Sequence, residues 1–213
     1  MASIAGGVPL FSEGDVATQL ICGHYEYRGD LHHPLITQLP NIIHIKSREM
    51  AETGDLHSLV SVIIGELSAA APGAKIIVEK LAEVILVKLL RLYLATVTQP
   101  KGFLAALNDD RLVHALNFMH GNSHENIPLE EIAQAAGMSR SSFSDRFKGV
   151  TGLSPVVYLA RWRMFLACDM LRIGDLSLVQ VAENIGYESE ISFSRAFKRY
   201  LNVTPAEYRR QAS

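Results

Sequence analysis

Cys22, His24, His32, His33 and His44 fall within 23 residues of one another. Thiolate and imidazole are the groups that hold zinc or make a cysteine redox-active. Their separations do not follow the paired ligand spacing of a zinc site, so no metal ligands are expected. Within ICGHY, His24 beside Cys22 leaves two readings, a redox-sensing thiolate or a small buried strand residue. Cys168 is expected to pack, and two cysteines so far apart suggest a reducing compartment rather than a disulfide framework. There is no phosphate-binding glycine loop and no nucleophile–base arrangement. No catalytic residue and no cofactor are expected, and the chain is not read as an enzyme.

A second set of polar groups sits on a repeat. Ile132-Ala133-Gln134-Ala135-Ala136-Gly137 matches Val181-Ala182-Glu183-Asn184-Ile185-Gly186 at an offset of 49 residues, and Phe143-Ser-Asp-Arg-Phe147 matches Phe193-Ser-Arg-Ala-Phe197 at an offset of 50. Leu153-Ser154-Pro155 matches Val203-Thr204-Pro205 at the same 50, so one residue is inserted after the glycine. A duplication of this length is a structural unit used twice.

Each copy reads helix, tight turn, helix. Ala133 and Ala182 are small enough for a second helix to cross closely, and Gly137 and Gly186 can adopt the left-handed turn. Ser139 and Ser189 are N-caps for the second helix. Phe143/Phe147 and Phe193/Phe197, at i,i+4, turn an aromatic face inward, and these four are expected in the core. The opposite face carries Arg140, Ser141, Ser144, Asp145 and Lys148 in copy one, and Glu190, Ser194, Arg195, Lys198 and Arg199 in copy two. Short polar and basic groups on the outer face of a short helix suit a DNA major groove. A pair of stacked helical hairpins with solvated outer faces is the alternative.

Ser154-Pro155 and Thr204-Pro205 are N-cap plus N1-proline starts; Glu207 completes a capping box with Thr204, and Ser177 pairs similarly with Gln180. The helix predicted over 155–172 is roughly 27 Å long at 1.5 Å per residue. Such a rod could hold two groove-reading helices near the 34 Å that separates successive major-groove faces, with some bending of the DNA. Trp162, between Arg161 and Arg163, is expected to pack rather than to stack on a base.

Residues 109–210 resemble the DNA-binding domain of the AraC/XylS family of bacterial transcriptional regulators. The marks are IAQAAGMSRSSFSDRFKGVTGLSP, YLARWRMFLACDML and VAENIGYESEISFSRAFKRYLNVTPAEYRR. The resemblance places Arg195 at a position that reaches base edges, flanked by Glu190 and Ser194. Ser141, Ser144 and Asp145 hold the matching positions of copy one, which, being short or anionic, discriminates more than it attracts. Arg140, Lys148, Lys198 and Arg199 are expected on phosphates, giving affinity without sequence information.

Residues 18–97 resemble the end of a cupin-type sensor found in one branch of that family, on the segments LICGHYEY and HPLITQLPNIIHI and the helices after them. A whole cupin barrel needs more strands than the stretch before Leu20 can supply. The expectation is a shortened member or a start assigned too late, with the effector pocket left open. In residues 1–48, Gly6, Gly7, Gly14, Gly23 and Gly29 alternate with Pro9, Pro34 and Pro40, and strands are expected over 18–27 and 42–45. Helices are expected over 56–71 and 74–97, split by Pro72-Gly73. On the second, Val78, Leu81, Ala82, Ile85, Leu89 and Leu92 form one seam, yet Val84, Leu86, Val87, Leu90 and Leu94 are also apolar. Either the helix is sandwiched within its own domain or it is shared with a second subunit.

The fold class expected is mainly α: an all-α C-terminal domain (101–213) with two helix–turn–helix units, at about 129–149 and 178–200, joined by a long helix. A small α+β segment (1–100), partial cupin strands plus two helices, precedes it. Charge decides little. Residues 1–100 carry 7 Lys+Arg against 10 Asp+Glu, a net of −3, and residues 101–213 carry 13 against 12, a net of +1. The most apolar stretch, 76–97, holds Glu79, Lys80, Glu83, Lys88 and Arg91, too many charges for a membrane span. The expected setting is the cytoplasm, away from membranes. The expected partners are double-stranded DNA, a second copy through the helix 74–97, and RNA polymerase; a small-molecule effector is left open. The competing functions are a truncated regulator that acts without effector response and a cupin-type enzyme with a helical appendage.

Overall fold

The computed structural model describes residues 2–5, 22–25, 38–45, 55–69, 71–98 and 100–212. The chain divides into two compact units, Met1–Arg28 with Pro40–Thr98, and Gly29–Leu39 with Gln99–Ser213.

In the first unit, β1 (Ala2–Ala5) pairs antiparallel with β2 (Cys22–Tyr25), Ala2 opposite Tyr25 and Ala5 opposite Cys22. β2 is the described part of the strand expected over 18–27; β1 was not foreseen. The strand expected over 42–45 is not formed. Exposure still alternates there, Ile42 and His44 outward and Ile43 and Ile45 less so, but among the described residues no neighbouring strand completes a ladder, and Ile42 stands 82% exposed. Period-two patterning alone does not make a strand without a hydrogen-bonded partner.

The helices α1 (Asp55–Ala69) and α2 (Ala74–Thr96) follow, joined at Pro72-Gly73, where Gly73 takes φ 89°. Leu56 and Ile63, two turns apart, are the buried side chains of α1, and Val78 and Ala82, one turn apart, those of α2. An ion pair from Lys88 Nζ to Asp55 Oδ2 at 2.9 Å links the two helices.

The second unit is helical: α3 (Phe103–Leu107), α4 (Asp110–Gly121), α5 (Leu129–Ala135), α6 (Arg140–Thr151), α7 (Pro155–Ile173), α8 (Leu178–Asn184), α9 (Glu190–Leu201) and α10 (Pro205–Ala212). It contains two separate apolar cores. One gathers Leu112, Met119, Ile132, Phe143, Phe147 and Tyr158; the other gathers Met164, Leu171, Val181, Ile185, Phe193 and Phe197. α7 feeds both, its first half closing one core and its second half the other. Ser154 caps its start, accepting from the Val157 N–H, with Pro155 in the first turn, and Gly174 at φ 91° ends it. Cys168 is buried in the second core, as expected of a packing residue. Among the described residues no helix is long and apolar enough to cross a membrane.

Candidate nucleic-acid interface

The pairs α5–α6 and α8–α9 are one design built twice. α5 ends with the Gly137 N–H donating to the Gln134 carbonyl and the Met138 N–H donating to the Ala133 carbonyl, at 2.8 and 2.9 Å. α8 ends the same way, with Gly186 on Glu183 at 3.1 Å and Tyr187 on Ala182 at 2.9 Å. This pair of hydrogen bonds satisfies carbonyls that a helix end leaves open, and it requires a left-handed residue at the glycine. Gly137 and Gly186 have φ of 62° and 76°. Met138 and Tyr187, one step later, pack onto their respective cores.

The second helices start on their serines. Ser139 Oγ accepts from the Ser142 N–H and Ser189 Oγ from the Ser192 N–H, at 3.3 and 3.2 Å. They also end alike, at Gly152 with φ 77° and at Asn202 with φ 61°, asparagine being the other residue that tolerates this conformation. Inside, Phe143–Phe147 and Phe193–Phe197 each meet with ring centres 5.5 Å apart, the first pair tilted and the second edge-on. All four rings are fully buried. Each burial contributes about 1.5–3 kcal/mol. Edge-on tyrosines complete both clusters: Tyr158 lies 5.5 Å from Phe147 and Tyr208 5.6 Å from Phe197. These tyrosines were not singled out from the sequence, although the offset of 50 residues continues through them.

Burying the aromatics fixes which face looks out. On α6 this face exposes Arg140, Ser141, Asp145 and Lys148, with Ser144 half-buried. On α9 it exposes Glu190, Arg195, Lys198 and Arg199, again with Ser194 half-buried. Sequence reasoning missed Ile191, a large apolar side chain 65% exposed in the first turn of α9.

The two outer faces differ in how their cations are held. On α6, Arg140 pairs with Glu130 of α5 at 2.7 Å, and Arg146 reaches Asp109, the N-cap of α4, at 2.6 Å. On α9, Arg195, Lys198 and Arg199 make no ion pair among the described residues; Arg199 instead lies 5.1 Å from the centre of the Tyr200 ring. The α9 face therefore offers more readily available positive charge.

Trp162 is a packing residue: it stacks on His120 at 3.9 Å and on Phe165 at 5.4 Å. The His120 ring in turn bonds the Tyr158 hydroxyl at 2.8 Å. Burial pushes that phenol well above its ordinary range, so it stays a neutral hydroxyl at any physiological pH. Of the histidine-rich stretch, Cys22 and His24 fall on β2, where only the backbone is described, and His32 and His33 lie outside the described residues. Among the described residues no three potential ligands converge on a metal position.

Residues 132–211 match a helix-turn-helix domain model and residues 3–95 a cupin model. An AraC-like transcription regulator of Streptomyces antibioticus is 33% identical over 210 residues, covering 96% of this chain and 67% of that protein. A like-named regulator of Streptomyces lividans is 34% identical over 96% of this chain and 67% of its own length. The HTH-type transcriptional regulator AlkR of Acinetobacter baylyi is 33% identical over 86% of this chain and 61% of its own length. The chain thus spans about two thirds of the length of these relatives.

Proposed function

This chain belongs to the AraC-type family of transcriptional regulators, DNA-binding proteins rather than enzymes, and from that membership we propose that it reads two neighbouring major-groove segments with α6 and α9. The observation that carries the reading is the repeat in space: two glycine-hinged helix pairs on one helix, each turning its aromatics in and its polar residues out. On this reading Ser141, Ser144 and Asp145 meet base edges in one groove segment, and Glu190, Ser194 and Arg195 in the other. Arg195 is suited to guanine O6 and N7, and the methyl groups of Ile191 suit a thymine methyl. Arg140, Lys148, Lys198 and Arg199 hold phosphates.

Residues 1–100 form the sensing and pairing half of the protein and residues 101–213 the reading half. A second copy docks along α2, where Ile76, Ile77, Val84 and Val87 are exposed although apolar. Acting in the cytoplasm, the bound regulator passes its signal to RNA polymerase.

Selection of duplexes from a random pool with the purified chain tests the reading. The expected product has two constrained segments about one helical turn apart, centre to centre. Enrichment of a single segment, or no enrichment, overturns it.

A further inference from the structure

Arg163 sits on α7 at the point where the helix passes from one core to the other, between Leu159 of the first and Met164 of the second. Its guanidinium reaches into the loop between α4 and α5. There Nε donates to the Ser123 carbonyl at 2.8 Å and Nη2 to the Glu125 carbonyl at 2.5 Å. The same group meets the hinge of the second helix–turn–helix pair from the other side. It lies 5.9 Å from the centre of the Tyr187 ring, and a Cβ on Gly186 would stand 2.9 Å from Nη2 and 2.9 Å from the His124 carbonyl oxygen. Ser123–Glu125 leads into the first helix–turn–helix pair, whereas Gly186 and Tyr187 are the hinge of the second. One side chain touches both.

We propose that Arg163 is a positioning residue that locks the second helix–turn–helix pair against the first and thereby sets the spacing and phase of the two DNA segments read. A helix as long as α7 fixes the separation of what it carries. The two cores seat each helix pair on its own half of α7, but between those halves a long helix can curve gently. The lock ties the two pairs directly across that joint. A planar guanidinium can satisfy two carbonyls at fixed angles while its face meets an aromatic ring; an ammonium is a point donor and cannot do both. Gly186 therefore has two reasons to be glycine: its left-handed backbone and the absence of a side chain where the guanidinium passes.

The proposal rests on the two-segment reading, and its test separates the two. The full chain, Arg163→Met and Arg163→Lys are titrated with three kinds of duplex. One is the duplex that the unaltered chain selects from a random pool; the second carries one or two base pairs inserted between its two segments; the third keeps only one segment. The unaltered chain is expected to lose roughly tenfold in affinity on insertion, the scale of a mismatched base pair. Arg163→Met is expected to bind the selected duplex roughly tenfold more weakly, to lose nothing further on insertion, and to bind the single-segment duplex as the unaltered chain does. Arg163→Lys falls between them, and it decides the matter by the same criterion if the methionine variant does not fold. An insertion penalty unchanged in the variants, or single-segment binding weakened as much as two-segment binding, overturns the lock while leaving the reading intact. An unaltered chain that tolerates insertions overturns the reading itself, and the lock with it.

Discussion

Arg140 Nη1 donates to Glu130 Oε1 at 2.7 Å, tying the first residue of α6 to the helix before it. Arg140 must exchange this carboxylate for a phosphate to grip DNA. Both side chains are more than half exposed, so the pair is worth at most about 1 kcal/mol. Glu130→Gln is expected to raise affinity for any duplex by up to roughly fivefold, by freeing the guanidinium and removing an anion near the backbone. If Arg140 then gains a phosphate contact, the slope of log affinity against log salt steepens by up to about 0.9. A salt titration of both proteins on one duplex checks this. An unaltered slope and affinity would show that Arg140 does not reach the DNA.

Arg195 and Lys198 are both exposed cations on α9, three residues apart, and are assigned different tasks. Arg195→Ala is expected to flatten preference at one base pair, costing about 1–3 kcal/mol on the preferred sequence and little elsewhere. Lys198→Ala is expected to weaken all sequences alike and to reduce the salt slope by about one. Binding-site selection at several salt concentrations separates the two outcomes, and identical profiles for the two variants remove the distinction.

Much of this second unit was legible because its determinants are local. A glycine at a left-handed turn, a serine before a helix and phenylalanines four residues apart act within a few residues, so the repeat fixed the hinges, caps and inward rings. Partnerships that close over long separations were not legible. Arg163 to Ser123, Arg146 to Asp109 and His120 to Tyr158 each span more than 35 residues. Their members are of unremarkable type at unremarkable spacing. The strand expected over 42–45 failed for the same reason, since a ladder depends on a neighbour that the segment itself does not encode. The exposed Ile191 was readable in principle, as an apolar residue out of phase with Phe193 and Phe197.

The two hinge glycines are expected to differ in cost although their backbones are alike. A Cβ on Gly137 would meet nothing within 4 Å, so Gly137→Ala should cost only the left-handed conformation, about 1–2 kcal/mol. Gly186→Ala adds a collision with the His124 carbonyl and displaces the Arg163 guanidinium. It should therefore be the more destabilising by denaturant unfolding. Equal costs would mean that the guanidinium moves aside freely.

Glu207 lies in the first turn of α10, and its Oε2 accepts from both the N–H and the hydroxyl of Thr204 at 2.8 Å. The Glu207 N–H returns a bond to Thr204 Oγ1 at 3.2 Å. These backbone and hydroxyl donors hold the carboxyl below its ordinary value, aided by nearby Lys198 and Arg210. A carboxylate whose folded value is depressed stabilises the fold fully above its unfolded value, and that contribution is lost as pH falls through the folded one. Glu207→Gln keeps a carbonyl acceptor but removes the charge. The variant is therefore expected to be less stable than the unaltered chain at neutral pH, with the gap closing as pH falls through the depressed folded value, below the ordinary carboxylate range. Because α10 places Tyr208 against Phe197, loss of this cap should loosen the second core before the first. Denaturation followed from neutral to acid pH reads the gap directly, and a difference that persists at low pH would assign the effect to shape rather than charge.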